Sequence, residues 1–170
     1  MNKGIVIAGY AGIGKTTLAK KYINVIDLES SNFKYIYDKE EIQTPEKMKG
    51  LLNRKQNQKW PNNYYSKIKN SILEYDFVCI QGTPMHIDYL DNENIELLIV
   101  YPDEKSLKLY KDRFIKRGNN IEYINKVTNK YDEELRGFKR SKSKKVVLEN
   151  GEPLEDYLLK HSYNLIEESR

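Results

Sequence analysis

Gly9-Tyr10-Ala11-Gly12-Ile13-Gly14-Lys15-Thr16-Thr17 is the stretch whose reading decides the fold. It follows the apolar run Gly4-Ile5-Val6-Ile7-Ala8 and precedes Leu18-Ala19-Lys20-Lys21-Tyr22-Ile23. The order is therefore short buried strand, glycine-rich turn, amphipathic helix, the setting in which G-x-x-x-x-G-K-[ST] reads as a phosphate-binding loop. Its glycines let successive N–H groups curl around a phosphate, and the first turn of the helix adds unpaired N–H groups and a positive dipole end. Lys15 would reach the β- and γ-phosphates and the Thr16 hydroxyl would take one position on Mg²⁺. All nine residues are nucleotide-contact candidates, with ATP and Mg²⁺ as the implied cofactors. The plainer alternative, a glycine-rich turn that binds nothing, is disfavoured because strand, turn and helix all agree.

The 170 residues suffice for one domain with a substantial core and are too few for two ordinary ones. Apolar residues make up 39% and charged residues 32%, as expected of charged helix faces around a modest core. No apolar run approaches a membrane span, and the start Met1-Asn2-Lys3-Gly4-Ile5-Val6 lacks a signal-peptide pattern, which reads as a cytoplasmic protein with no membrane partner. The single cysteine, Cys79 in the run Phe77-Val78-Cys79-Ile80, reads as core, and with only His86 and His161 besides, a zinc site is not expected. The net charge of +4 draws partly on Lys139-Arg140-Ser141-Lys142-Ser143-Lys144-Lys145, read as a solvated or phosphate-facing loop ahead of a nucleic-acid surface. Frequent Asn, Lys, Ile and Tyr look like an AT-rich coding background, and the tyrosines receive no functional weight.

Taken in order, the chain alternates strand and helix. Strands are expected at 3–8, 24–28, 76–80, 95–101 and, weakly, 146–148. Helices are expected from Lys15 to about Ile23, from Thr44-Pro45-Glu46 through Met48, Leu51 and Leu52, and from Tyr64 to Glu74 with Ile68, Ile72 and Leu73 inward. Others are expected to about Tyr89, from Pro102 to Arg117 with Gly118 as terminator, from Asn120 to Arg136, and from Pro153 to Lys160. This alternation means a parallel sheet covered on both faces.

The chain resembles small P-loop kinases of the nucleoside and nucleotide kinase group, adenylate-kinase-like and shikimate-kinase-like, including short kinase-like proteins of bacteria and phages. The residues that carry the resemblance are GYAGIGKTT, VIDLESS after the second strand, WPNNYYSKIK before the third, and LLIVYPDEKSLKLYKDRFIKRGN leading out of the fourth. It implies a three-layer α/β/α sandwich about a five-stranded parallel sheet, one domain over 1–170. An acceptor-binding insertion would lie at 32–75 and a lid region at about 113–145. The implied activity is ATP- and Mg²⁺-dependent phosphoryl transfer to a small acceptor, foremost a (deoxy)nucleoside monophosphate, by a monomer or homodimer.

Such a kinase needs a metal site, an acceptor pocket and cations around the transferring group. Asp27 and Glu29 follow the second strand on the rim that carries the phosphate loop, and residues two apart there point the same way. Asp27-Leu28-Glu29 resembles the acid-x-acid of shikimate-kinase-like proteins, so Asp27 joins Thr16 at the metal and Glu29 faces the acceptor. Helix capping is the alternative for Ser30 and Ser31. One departure stands out: the third strand ends in Gln81, where a metal-binding Asp would be expected. Arg113 and Arg117, one helical turn apart beside the stripe Leu107, Tyr110 and Phe114, are the lid candidates, with a solvated helix edge as the alternative and Arg136 and Arg140 behind them. Arg54 on the second expected helix and Tyr64 are acceptor candidates for pairing phosphate and stacking on a base. Trp60 reads as packing. Asn129-Lys130-Tyr131-Asp132 matches the guanine-reading NKxD of GTPases, but it lies in a helical polar stretch and no DxxG follows the third strand. A kinase acting on a nucleic-acid end or base, and a non-catalytic nucleotide-binding module, remain as alternatives.

Overall fold

The computed structural model of the protein describes residues 4–37 and 54–168. In chain order the elements are β1 (Ile5–Gly9), α1 (Lys15–Lys21), β2 (Val25–Leu28), α2 (Ser31–Lys34), β3 (Tyr35–Tyr37) and β4 (Arg54–Gln56). They continue with α3 (Asn62–Ser71), β5 (Phe77–Gln81), α4 (Pro84–Asn92), β6 (Leu97–Pro102) and α5 (Leu107–Lys116). Last come α6 (Ile121–Asn129), α7 (Tyr131–Arg140), β7 (Lys144–Leu148) and α8 (Leu154–Lys160). Five strands form one parallel sheet in the order β2-β5-β1-β6-β7. Helices flank it in the three-layer α/β arrangement that the alternation predicts. The three inner strands are apolar runs because both of their faces are covered: all six residues of β6, and Phe77, Val78, Cys79 and Ile80 of β5, are buried. The edge strand β7 instead alternates, with Val146 and Leu148 inward and Lys144 and Lys145 exposed, which charges an otherwise unpaired edge. Among the described residues no helix is long and apolar enough to cross a membrane.

The structure departs from the sequence expectations in four places, and one further expectation falls outside the described residues. The polar stretch after α2 contains an antiparallel pair, β3 with β4, in which Tyr37 lies opposite Arg54; Arg54 is thus on a strand and not on a helix. The expected helix from Thr44-Pro45-Glu46 through Met48, Leu51 and Leu52 lies outside the described residues. Leu73 is exposed because α3 ends at Ser71, so the helical phase that would turn it inward no longer applies. The helix expected over 120–136 is two helices that break at Lys130. Its buried residues Ile124, Tyr131, Leu135 and Phe138 keep spacings of seven, four and three, so the periodicity runs through the kink and hides it. The basic cluster is not a loop: Lys139 and Arg140 end α7, and Lys144 and Lys145 begin β7.

The helix α7 lies over the end of β5, where Gly82 leaves no gap. A Cβ on Gly82 would come 2.4 Å from the Phe138 ring and 3.2 Å from the Ala8 backbone, and that ring is itself stacked on Tyr101. Gly82→Ala is expected to lower stability by about 1–3 kcal/mol through overpacking, measured by chemical denaturation. An unchanged midpoint would show that α7 is not seated on β5.

Candidate phosphate site

The strand β1 is bonded on both sides, with Gly9 in register with Gln81 of β5 and Val100 of β6. The chain then turns back into α1 through two left-handed residues, Gly12 (φ 82°) and Gly14 (φ 108°), a conformation costly for side-chain-bearing residues. At Gly12 a side chain would also meet Phe114 and Tyr110 of α5. The variable positions of the motif anchor it. Tyr10 is fully buried, packs edge-on against Tyr110 (5.7 Å) and Tyr131 (5.3 Å), and donates its hydroxyl hydrogen to the Val127 carbonyl at 3.3 Å. Ile13 is buried and its carbonyl accepts from the Leu154 N–H at 3.0 Å. Neither side chain faces a ligand, so these two residues can contribute only their backbone.

Lys15 donates to the carbonyls of Tyr10 (2.8 Å) and Gly9 (3.2 Å), curled over its own loop. Burial pulls its ammonium below the ordinary lysine value against the opposing pull of Asp27 and Glu29, and the nearby Arg117 adds to the depression. The Thr16 hydroxyl donates to Asp27 Oδ2 at 2.6 Å, joining the first turn of α1 to β2 across eleven positions of sequence. This pair offers two hard oxygen donors beside the phosphate loop, the kind of incomplete set from which Mg²⁺ is held together with phosphate oxygens. Thr17 is exposed on the following turn. Glu29 accepts from the Ser31 hydroxyl at 3.2 Å, and Ser30 precedes α2 without a side-chain cap bond.

The two arginines of α5 part company. Arg113 donates to the carbonyl of Gly12 at 3.4 Å and to that of Gly151, and its guanidinium lies 4.7 Å from the Tyr110 ring centre. It ties the phosphate loop to the turn before α8, and is neither a solvated edge residue nor aimed into open space. Arg117, at the end of α5, is exposed, as are Arg136 and Arg140. In the basic cluster Lys139 is paired with Glu104, and Lys144 bonds the Tyr163 hydroxyl at 3.3 Å.

On the acceptor side, Tyr64 is fully buried and donates to the Leu28 carbonyl at 2.9 Å, which leaves no ring face for a ligand. It packs with Phe33, Trp60 and His86, at 5.1, 5.5 and 5.1 Å between ring centres. Burial pushes the His86 imidazole down to about 4, so it is neutral near pH 7. The Arg54 guanidinium lies 3.8 Å over the Tyr35 ring.

One residue of the site escaped the sequence reading. Glu134 of α7 has a buried Oε2 without a hydrogen-bond partner, and burial pushes its carboxyl up to about 7, partly offset by Lys130 and Lys15. Its only trace in the sequence is that it stands three positions after Tyr131 and beside Leu135, on the buried face of an otherwise charged helix.

No family model matches the chain, and no curated protein matches it. Among solved structures, that of the tunicamycin resistance protein of Deinococcus radiodurans is similar, with a TM-score of 0.50 over 97% of this chain and 99% of that one at 12% identity. Likeness at that identity carries the fold alone, a three-layer α/β fold about a five-stranded parallel sheet.

The Glu134 carboxyl gives a pH-dependent stability. Between its ordinary value of 4.5 and about 7 it is protonated in the folded protein and ionised in the unfolded chain. Its contribution is therefore present at low pH and lost as pH rises through that window. Relative to wild type, Glu134→Gln is expected to gain about 2 kcal/mol between pH 4.5 and pH 8, after discounting for partial exposure. A stability difference that stays constant with pH would show that this carboxyl is not held in the buried site.

Proposed function

We propose that the protein is an ATP- and Mg²⁺-dependent phosphotransferase acting on a small acceptor, a (deoxy)nucleoside monophosphate being the first candidate. The observation that carries this reading is the Thr16–Asp27 hydrogen bond at 2.6 Å beside Lys15. The phosphate loop alone would suit any nucleotide binder. A carboxylate brought to its threonine from β2, two strands away in the sheet, supports a divalent cation beside the loop.

In this reading Lys15 leaves the Gly9 and Tyr10 carbonyls for the β- and γ-phosphates, whose charge reverses the depression that burial imposes on the ammonium. Thr16 and Asp27 would hold Mg²⁺, which when bound would neutralise negative charge on the phosphates. Glu29, whose charge also reaches Lys15, faces the acceptor and would orient its hydroxyl. Arg117 closes on the transferring group, while Arg113 keeps the loop in shape through Gly12 and Gly151. A non-catalytic nucleotide-binding module is the second reading, favoured by Gln81 standing in register with Gly9 where an acid would be expected.

The test is a panel of nucleosides, nucleoside monophosphates, shikimate-like alcohols, tunicamycin and DNA incubated with ATP and Mg²⁺, scored for phosphorylated product. Tunicamycin enters because of the name of the similar structure. With the best acceptor, Asp27→Asn should cut turnover on the order of a hundredfold at unchanged melting temperature. Arg117→Ala should lower kcat with nucleotide affinity nearly unchanged, because its contact forms mainly in the transition state. Arg113→Ala should weaken nucleotide binding and stability together. Wild-type turnover in Asp27→Asn would remove that residue from the site, and no product from any acceptor would favour the binding module.

A further inference from the structure

The helix α7 packs on β6 and reaches the residues that follow the ends of β1 and β5. At one end Tyr131 packs on Tyr10 of the phosphate loop, at 5.3 Å between ring centres. At the other, Phe138 covers Gly82, and Gly137 faces Pro84. The two strand ends are joined there, Gly9 in register with Gln81 and the Gly82 N–H donating to the Gly9 carbonyl at 3.0 Å. Glu134 sits between these two contacts on the same helix, with Oε2 buried and unpartnered, and Lys15 of the phosphate loop among the charges it feels. A buried carboxylate oxygen with no donor is costly, and a site that supplies the donor when loaded offsets that cost.

We propose that Glu134 supplies from α7 the carboxylate that β5 lacks at Gln81: with a Mg-nucleotide in the loop, its Oε2 accepts a hydrogen bond from a water of the metal's hydration shell. This rests on the nucleotide-binding reading above. Mg²⁺ gives up its waters reluctantly, so several remain in a loaded phosphate site and need acceptors. Removing a residue that bonds the ligands of a metal commonly costs about ten- to a hundredfold in its affinity. Without the cation, a phosphate and the Glu134 carboxylate would be two anions facing each other in a partly dry site. The other charged and titratable groups around the carboxyl are Lys15 and Tyr10 from the loop, Lys130 from the break before α7, and Glu133 from its own helix. Glu134 therefore opposes metal-free nucleotide and favours the Mg-nucleotide, which makes it a positioning residue for the metal.

The experiment is calorimetric titration with ADP at pH 8, in EDTA and in Mg²⁺, of wild type, Glu134→Gln and Glu134→Asp, with melting curves for each. Wild type should bind Mg-ADP more tightly than metal-free ADP. In Glu134→Gln that gain should shrink by about tenfold or more while metal-free ADP binds at least as tightly as to wild type. Glu134→Asp keeps the charge and should fall between, which keeps the test decisive if the Gln variant folds poorly. An undiminished Mg²⁺ gain in Glu134→Gln, or equal weakening with and without Mg²⁺, would overturn the proposal while leaving the nucleotide-binding reading intact. So would a wild-type affinity that ignores Mg²⁺ and falls as pH rises, since a proton would then separate the two anions. A wild type that binds no ADP in either condition would remove the nucleotide-binding reading itself and this role with it.

Discussion

The pairing of β1 with parallel strands on both sides fixes the point at which the chain leaves the sheet, and the site depends on that point. Gly9 is held against Gln81 and Val100, so the nine-residue loop has to begin there and reverse within a few residues. Gly12 and Gly14 make the reversal through left-handed angles. Tyr10 keeps it from fluctuating, because its ring is locked among Tyr110, Tyr131 and the Val127 carbonyl. A loop anchored in this way would need little further ordering by a ligand, and such preorganisation favours binding.

The charges around the loop are arranged as placeholders. Lys15 rests on two carbonyls of its own loop and Thr16 on Asp27, so the cation and the hydroxyl that phosphate and metal would use are satisfied by groups that can be exchanged. Arg113 is satisfied differently: its partners are backbone carbonyls of the loop and of the turn before α8, contacts that would persist with ligand present. The carboxyl of Glu134 has no placeholder at its Oε2. The Tyr110 hydroxyl beside Tyr10 shares that lack, but Glu134 alone of the two is an acid whose ionised form needs a donor.

Much of the fold was legible because buried parallel strands read as unbroken apolar runs and the glycine-rich loop reads directly as a turn. Ile5 to Gly9, Phe77 to Gln81 and Leu97 to Pro102 lie where the apolar runs predict them, within two residues at each end. The misses share a cause, contacts between segments remote in sequence. Arg54 looked helical in isolation, and only pairing with Tyr37 makes it strand. The break at Lys130 left no trace in a periodicity that continues across it. Arg113 reaches Gly151, thirty-eight positions away, which no local pattern announces. Tyrosines that composition made look like background, Tyr10, Tyr64, Tyr110 and Tyr131, are among the largest fully buried side chains and hold the site together. Glu134 was invisible for the same reason: its meaning lies in the strand ends that its helix reaches.

The central claim is that Gly9 to Thr17 binds the phosphates of a nucleotide through Lys15. The most direct measurement is calorimetric titration of wild type and Lys15→Ala with ATP in Mg²⁺. The account predicts one site per chain in wild type, weakened on the order of a hundredfold when the ammonium is removed, with the fold intact by circular dichroism. Equal affinity in the two proteins, or no binding by wild type, would contradict it.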